Sequence, residues 1–205
     1  MYRYKEKGEA MLKLKRPAII ALLILLAFLL ALGIDSLIKL GRRQLSPDEC
    51  RDTVEKYASE YNVPAYIIFA IIDVESDFET GATSSAGARG LMQMMPDTFE
   101  WLTSANHLGE NLPISEMYDA EVSIKYGAYY LKYLFSKFYD WDTVFAAYNA
   151  GEGNVAKWLK DPKYSDGDGK LREIPFKETR SYVKKINDSV DYYKNTYYKN
   201  EESVK

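Results

Sequence analysis

The stretch IIFAIIDVESDFETGATSSAGARGLMQMMP, residues 67–96, decides the fold of this chain and carries its chemistry. Its first half reads as a helix in which Ile68, Ile71 and Ile72 share the face of Glu75, so that Glu75 ends an apolar stripe. Glycines at 81, 87 and 90 follow, and they permit backbone turns and close approaches that side chains would block. A single carboxylate thus stands between an apolar helix and a glycine-rich loop.

Taken alone, a helix-end glutamate is most often solvated or ion-paired. At the end of an apolar stripe its charged form loses hydration, so its pKa moves up toward neutrality. There a carboxyl group can deliver a proton and take one back, as a general acid/base must.

Glu75-Ser76, Ser84, Gly87-Ala88, Gly90-Leu91-Met92-Gln93 and Met95-Pro96 resemble the first signature of the soluble lytic transglycosylase family, a lysozyme-like group that cleaves peptidoglycan. Ala147-Tyr148-Asn149-Ala150-Gly151 resembles the second, and Pro175 with Glu178-Thr179-Arg180 and Tyr182-Val183 the third. The three occur in the family's order, and the similarity spans roughly residues 50–195. It implies a mainly α, lysozyme-like helical domain with a groove, and with the apolar run described below the chain is expected to be a membrane-anchored, single-domain member of the family. It implies roles as well. Glu75 is the catalytic residue, Ser84 contacts the sugar near it, and Gln93 faces the groove as a hydrogen-bonding side chain. Met95 sits where the family has a methionine able to touch substrate. The hydroxyl of Tyr148 lies near the sugar N-acetyl group or the catalytic carboxylate, and Asn149 shares its helix end. Glu178 either binds substrate or holds Arg180 and its neighbours. Leu91, Met92 and Met94 read as packing, and Ser84 read locally is a turn cap.

Composition narrows the alternatives. Of 27 Lys/Arg and 30 Asp/Glu, six and two fall in residues 1–34, which leaves 21 and 28 to the remainder, a net charge of −7. An acidic body argues against nucleic acid as partner. One cysteine, Cys50, excludes an intrachain disulfide and reads as a buried residue. One histidine, His107, excludes a His-rich metal site, and no nucleophile signature supports a Ser-His-Asp arrangement. No cofactor or metal is expected. In Asp166-Gly167-Asp168-Gly169 a calcium-loop register would put Tyr164 and Pro175 at two required ligand positions, so a turn or flexible insertion is preferred.

Residues 18–34 are an apolar run preceded by Lys13, Lys15, Arg16 and Pro17. At about 1.5 Å per residue it reaches roughly 26 Å, near the roughly 30 Å hydrocarbon core, and Leu37 and Ile38 extend it. The basic residues before it place the N-terminus in the cytoplasm and everything after Asp35 outside. The alternative is a cleaved signal peptide ending near Ala31-Leu32-Gly33. The expected organisation is a cytoplasmic stretch 1–17, a transmembrane anchor 18–38, a linker 39–46, the lysozyme-like domain 47–198 and a tail 199–205, on the outer face of the cytoplasmic membrane.

Within the domain, Ser46-Pro47-Asp48-Glu49 predicts a helix start with a capping box. Asn62-Val63-Pro64 breaks that helix, and Pro64 opens the next, which runs to Glu75. Asp97 is expected to cap a helix containing Phe99, Trp101 and Leu102, with residues 103–118 a loop. Asp119 caps a long helix whose aromatic stripe, including Tyr126, Tyr130 and Tyr133, reads as core. Trp141 to Asn149 is a helix stopped by Gly151. The last helix runs from about Phe176 to Tyr198, with Tyr182, Val183 and Ile186 on its core face.

Glycosidic cleavage usually needs two facing carboxylates. Asp73 and Asp77, two residues either side of Glu75, are expected on other helix faces, so a one-carboxylate mechanism is required. The family resemblance implies one: Glu75 protonates the oxygen leaving C1 of N-acetylmuramic acid, then accepts the proton of the C6 hydroxyl that closes a 1,6-anhydro ring. A hydrolytic muramidase resembling goose-type lysozyme, or a non-catalytic glycan-binding scaffold, are the alternatives. Peptidoglycan strands are the expected partner.

Overall fold

Helix starts and breakers in the sequence resolve into eight α-helices among the described residues: α1 Arg16–Gly41, α2 Pro47–Tyr61, α3 Ala65–Ser76, α4 Pro96–Thr103, α5 Ala120–Phe138, α6 Trp141–Ala150, α7 Glu152–Trp158 and α8 Lys177–Tyr197. The computed structural model describes residues 16–41 and 43–199, with side chains at 18–30 and 43–199. The basic stretch 1–15 and the tail 200–205 lie outside the described residues. The chain divides between Gly41 and Arg42 into two units.

In α1 the side chains described are Ala18–Leu30, all exposed. Among the described residues no helix is long and apolar enough to cross a membrane, so the expected span 18–38 draws no support here.

In the second unit, α3 is the central element. It lies against α8, α2 and α5. Ile67, Ile68, Phe69, Ala70, Ile71 and Ile72 are all buried, so the expected stripe is in fact a helix covered on every side. Phe69 stacks on Tyr193 and Tyr197 of α8 at ring-centroid distances of 5.4 and 6.2 Å. Cys50 is buried, and that burial lifts its thiol to about 11.

The capping signals perform as written. Ser46 Oγ accepts from the Glu49 N–H while Glu49 reaches back to the Ser46 N–H, closing the box. Asp119 accepts from the Val122 N–H and Asp140 from the Thr143 N–H. Asn62 ends α2 in the left-handed conformation, and Pro64 is the N-cap of α3. Two expectations are corrected. Asp97 is not the cap of α4: Met95 holds that position and Pro96 begins the helix, because proline's fixed φ and missing N–H suit the first turn. Within the expected loop 103–118, Ile114–Tyr118 winds into a 3₁₀ helix that buries Met117. Asp166 to Gly169 is a bent, irregular connection, with Gly167 and Gly169 at positive φ and Ser165 bridged to Leu171.

The glycine-rich segment folds back on itself. Gly90 N–H donates to Ala82 O, and Arg89 and Met94 exchange both backbone bonds. Gly90 is required twice over: its φ is +76°, and a Cβ there would lie 1.8 Å from the Met117 carbonyl oxygen. Gly87, at φ +92°, has open space around it. Gly90→Ala is therefore expected to lose about 3 kcal/mol or more and Gly87→Ala only about 1 kcal/mol. Urea denaturation of the two variants measures this, and equal losses would show that the loop is not seated on Met117.

Candidate functional site

The chain reverses where α3 ends. Asp77 and Phe78 both adopt positive φ, at 49° and 62°, and turn the backbone toward the glycine-rich loop. Phe78 is buried against Phe69 and Tyr193, which anchors the reversal. Ser76 Oγ lies 2.8 Å from Leu91 O and 3.1 Å from Ile72 O, linking the helix end to the loop. On the outer side, residues 43–45, placed by sequence in the linker, bond to 78–80: Leu45 N–H donates to Phe78 O and Thr80 N–H to Arg43 O.

Between helix end and loop lies a cavity of about 490 Å³ lined by Asp73, Val74, Glu75, Ser76, Asp77, Glu79, Ala82, Thr83, Ser84 and Gln93. Glu75 is its distinctive group. Burial pushes its carboxyl up to about 7, while a hydrogen bond from Tyr182 opposes that rise. The Tyr182 hydroxyl donates to Glu75 Oε1 at 2.7 Å. Tyr182 itself is held well above the usual phenol range, first by burial and then by the Glu75 charge, so it stays a donor.

Asp73 and Asp77 border the same cavity, which corrects the expectation that helix geometry sends them away. Asp77 is no longer helical, so helical spacing does not govern it. Each is nonetheless occupied. Ser189 Oγ donates to Asp73 Oδ2 at 2.7 Å, and Gln44 Nε2 to Asp77 Oδ2 at 3.0 Å. Neither contributes to the shift of Glu75. Among the described residues no group of three or more His, Cys, Asp or Glu could hold a metal ion.

The residues singled out from sequence fall into three sets. Glu75, Ser84 and Gln93 share the cavity. Ser84 is exposed there, and its hydroxyl accepts the Ala88 N–H at 3.0 Å, so it is a turn cap as well as a wall residue. Gln93, in the left-handed conformation, donates Nε2 to Ala82 O and Gly90 O, which leaves its carbonyl oxygen as the group for a ligand. Tyr148 is not in the cavity lining but bonds to the loop. Its hydroxyl donates to Met92 O at 2.7 Å, and after burial the Glu75 charge is the next cause raising its pKa. Met95, Asn149 and Glu178 lie off the Glu75 cavity. Met95 is 42% exposed at the start of α4. Asn149 Oδ1 accepts from Thr179 Oγ1 at 2.8 Å, joining α6 to α8. Glu178 is exposed in the first turn of α8, and Arg180 is held instead by the carbonyls of Ile174 and Pro175.

Leu91, Met92 and Met94 are buried, as packing residues should be. Sequence reasoning placed Tyr182 on the core face of α8 without a role at Glu75; its position within the third signature was the available signal. Ser189 and Ser123 carried none. Ser123 is fully buried and accepts the Met92 N–H at 3.1 Å, fixing the loop from α5.

Known proteins resemble this chain in sequence and in fold. The chain is 34% identical over 146 residues to the soluble lytic murein transglycosylase of Escherichia coli K12, covering 70% of this chain and 22% of that protein. It is 28% identical over 162 residues to membrane-bound lytic murein transglycosylase C of Actinobacillus pleuropneumoniae, covering 68% and 44%. Among solved structures, an inactive mutant of the lytic transglycosylase Slt from Pseudomonas aeruginosa superposes with a TM-score of 0.64 at 35% identity, over 73% of this chain and 24% of that one. The chain thus spans under a quarter of the length of the soluble relative from Escherichia coli. Residues 52–169, more than half of the chain, match the transglycosylase SLT domain, and the chain belongs to that family.

Proposed function

We propose that this chain is a peptidoglycan lytic transglycosylase that cleaves the β-1,4 bond between N-acetylmuramic acid and N-acetylglucosamine and leaves 1,6-anhydro ends. One observation carries the reading: Glu75 opens onto a cavity yet is buried enough that its carboxyl rises to about 7. The relatives' names as lytic murein transglycosylases support it.

The neutral carboxyl of Glu75 donates its proton to the glycosidic oxygen as the bond from C1 to that oxygen breaks. The positive charge at C1 is met by the sugar's own N-acetyl group. The carboxylate so formed accepts the proton of the C6 hydroxyl, whose oxygen attacks C1 and closes the anhydro ring. The proton count balances and no water enters. Tyr182, bonded to Oε1, leaves Oε2 to carry the proton toward the cavity. Tyr182 is thus a positioning residue. Asp73 and Asp77 are tied to Ser189 and Gln44, so neither is free to activate a water, which favours transglycosylation over a hydrolytic muramidase. Ser84, the Gln93 carbonyl and Met95 are assigned to sugar contacts, Tyr148 to supporting the Met92 carbonyl beside them, and Asn149 and Glu178 to the groove margin.

We further infer that residues 18–38 anchor the chain in the cytoplasmic membrane, with the basic segment inside and the catalytic domain outside. The exposed apolar side chains from Ile19 to Leu30 support this, since an aqueous environment gives them nothing to bury against.

Three measurements test these readings. Mass spectrometry of sacculus digests is expected to show anhydro ends, and Glu75→Gln to abolish them; reducing ends would mark a hydrolase, and activity surviving in Glu75→Gln would remove Glu75 from the chemistry. The reaction begins with protonated Glu75, so kcat/KM is expected to fall as pH rises through about 7. The Tyr182 bond favours the ionised form, so Tyr182→Phe is expected to move that limb to higher pH; an unmoved limb would detach Tyr182 from the titrating group. The full chain is expected to remain in membranes washed with high salt, and a chain lacking residues 1–38 to be released. Retention of the shortened chain would refute the anchor.

A further inference from the structure

The stretch expected as a linker ends in residues that are built into the rim of the Glu75 cavity. Gln44 and Glu79 form an antiparallel bridge, and Glu79 lines the cavity. Leu45 N–H donates to Phe78 O and Thr80 N–H to Arg43 O, both at 3.0 Å. Residues 44 and 79 therefore face each other as a non-hydrogen-bonded pair, the arrangement that brings opposite side chains closest. The Thr80 hydroxyl adds a bond to Arg43 O at 3.0 Å. Arg43 is in turn paired with Glu49, the residue that closes the capping box of α2. All of these upstream residues precede the stretch 52–169 that matches the family domain.

The consequence falls on Asp77. α3 ends at Ser76, and Asp77 and Phe78 both stand at positive φ, a conformation that residues other than glycine keep only where their surroundings hold them. Gln44 supplies that hold, because its Nε2 donates to Asp77 O and to Asp77 Oδ2, each at 3.0 Å. One amide fixes both the backbone and the carboxylate of the residue.

The two acids flanking Glu75 are held unequally. Asp73 is half-buried and takes the hydroxyl of Ser189, which is only 8% exposed. Asp77 is exposed, and so is the amide that holds it. Both border the Glu75 cavity. Glycosidic cleavage becomes hydrolysis when a second carboxylate takes a proton from an attacking water. Of the two acids, Asp77 is the one released by the loss of a single surface hydrogen-bond donor.

We propose that Gln44 determines the product: by holding Asp77 it keeps the reaction at Glu75 a transglycosylation. The proposal rests on the lytic-transglycosylase reading above, and it assigns the choice between ring closure and hydrolysis to a residue upstream of the family domain. Gln44 is not in the cavity lining, so it acts through Asp77 as a positioning residue. Once released, the Asp77 carboxylate takes one proton of a water whose oxygen bonds to C1 as the bond from C1 to the glycosidic oxygen breaks. Glu75 gives its proton to the leaving oxygen, and a reducing end replaces the anhydro ring.

The test compares product ends by mass spectrometry after the full chain, in detergent, digests sacculi. Gln44→Met removes the donor, keeps the length of the side chain and leaves the backbone bonds of Arg43 and Leu45 in place. It is expected to raise the ratio of reducing to anhydro ends about fivefold, the gain in free Asp77 when one hydrogen bond is lost. Gln44→Asn, whose amide stops one methylene short, is expected to act likewise and serves should Gln44→Met not fold. Adding Asp77→Asn to either variant is expected to restore the original ratio, a reversal that a merely structural role of Gln44 does not produce. An unchanged ratio in the Gln44 variants overturns the proposal, and so does a raised ratio that persists once Asp77→Asn is added. If the unsubstituted chain itself releases mainly reducing ends, the transglycosylase reading fails instead.

Discussion

A helix buried on all sides along residues 67–72, with Glu75 in its last turn, is the constraint on which this domain depends. α3 cannot face water along residues 67–72, so α2, α5 and α8 must surround it. The last turn, residues 73–76, is half-buried, and there burial still withholds hydration from the Glu75 carboxyl. Burial stabilises the core there and also raises the pKa of Glu75. Packing and chemistry therefore have a common cause.

The two acids nearest Glu75 in the chain are each held by a partner of their own. The flanking acids border the same cavity, and two like charges close by would ordinarily couple their titrations. Here Asp73 is held by Ser189 on α8 and Asp77 by Gln44 upstream of α2. Among the described residues Tyr182 alone hydrogen-bonds Glu75, and it does so with a proton it does not give up. α8 thus contributes to the site twice, through Tyr182 to the acid and through Ser189 to its neighbour.

The glycine-rich segment is a wall built from backbone. Its amides and carbonyls bond within the segment, Gln93 staples it from inside, and Ser123 and Tyr148 hold Met92 by its N–H and its carbonyl. Gly90 sits against Met117 where no side chain fits, and Gly127 of α5 leaves room for the Met92 side chain, since a Cβ there would be 2.2 Å from its sulfur. Rigid backbone walls suit a long ligand, because they offer carbonyl and amide dipoles without the entropy of ordering side chains.

By itself the sequence determined the helical order of the domain, the caps at Ser46 and Asp119, the burial of Cys50, Leu91 and Met92, and the position of Glu75 at a helix end beside a glycine loop. These are local properties, set by spacing along a helix, by capping chemistry and by the backbone freedom of glycine. Glu75 was legible because its burial follows from residues within two turns of it. Tertiary structure alone decided that Tyr182, more than a hundred residues away, donates to Glu75, that Asp73 and Asp77 border the same cavity yet are tied elsewhere, and that Gln93 spends its amide on its own loop. It also decided that Trp101, indistinguishable in sequence from a core aromatic of α4, stands exposed. Hydrogen bonds between distant elements, and the side of an aromatic left uncovered, depend on how helices meet, and helical periodicity records only which face of each is apolar.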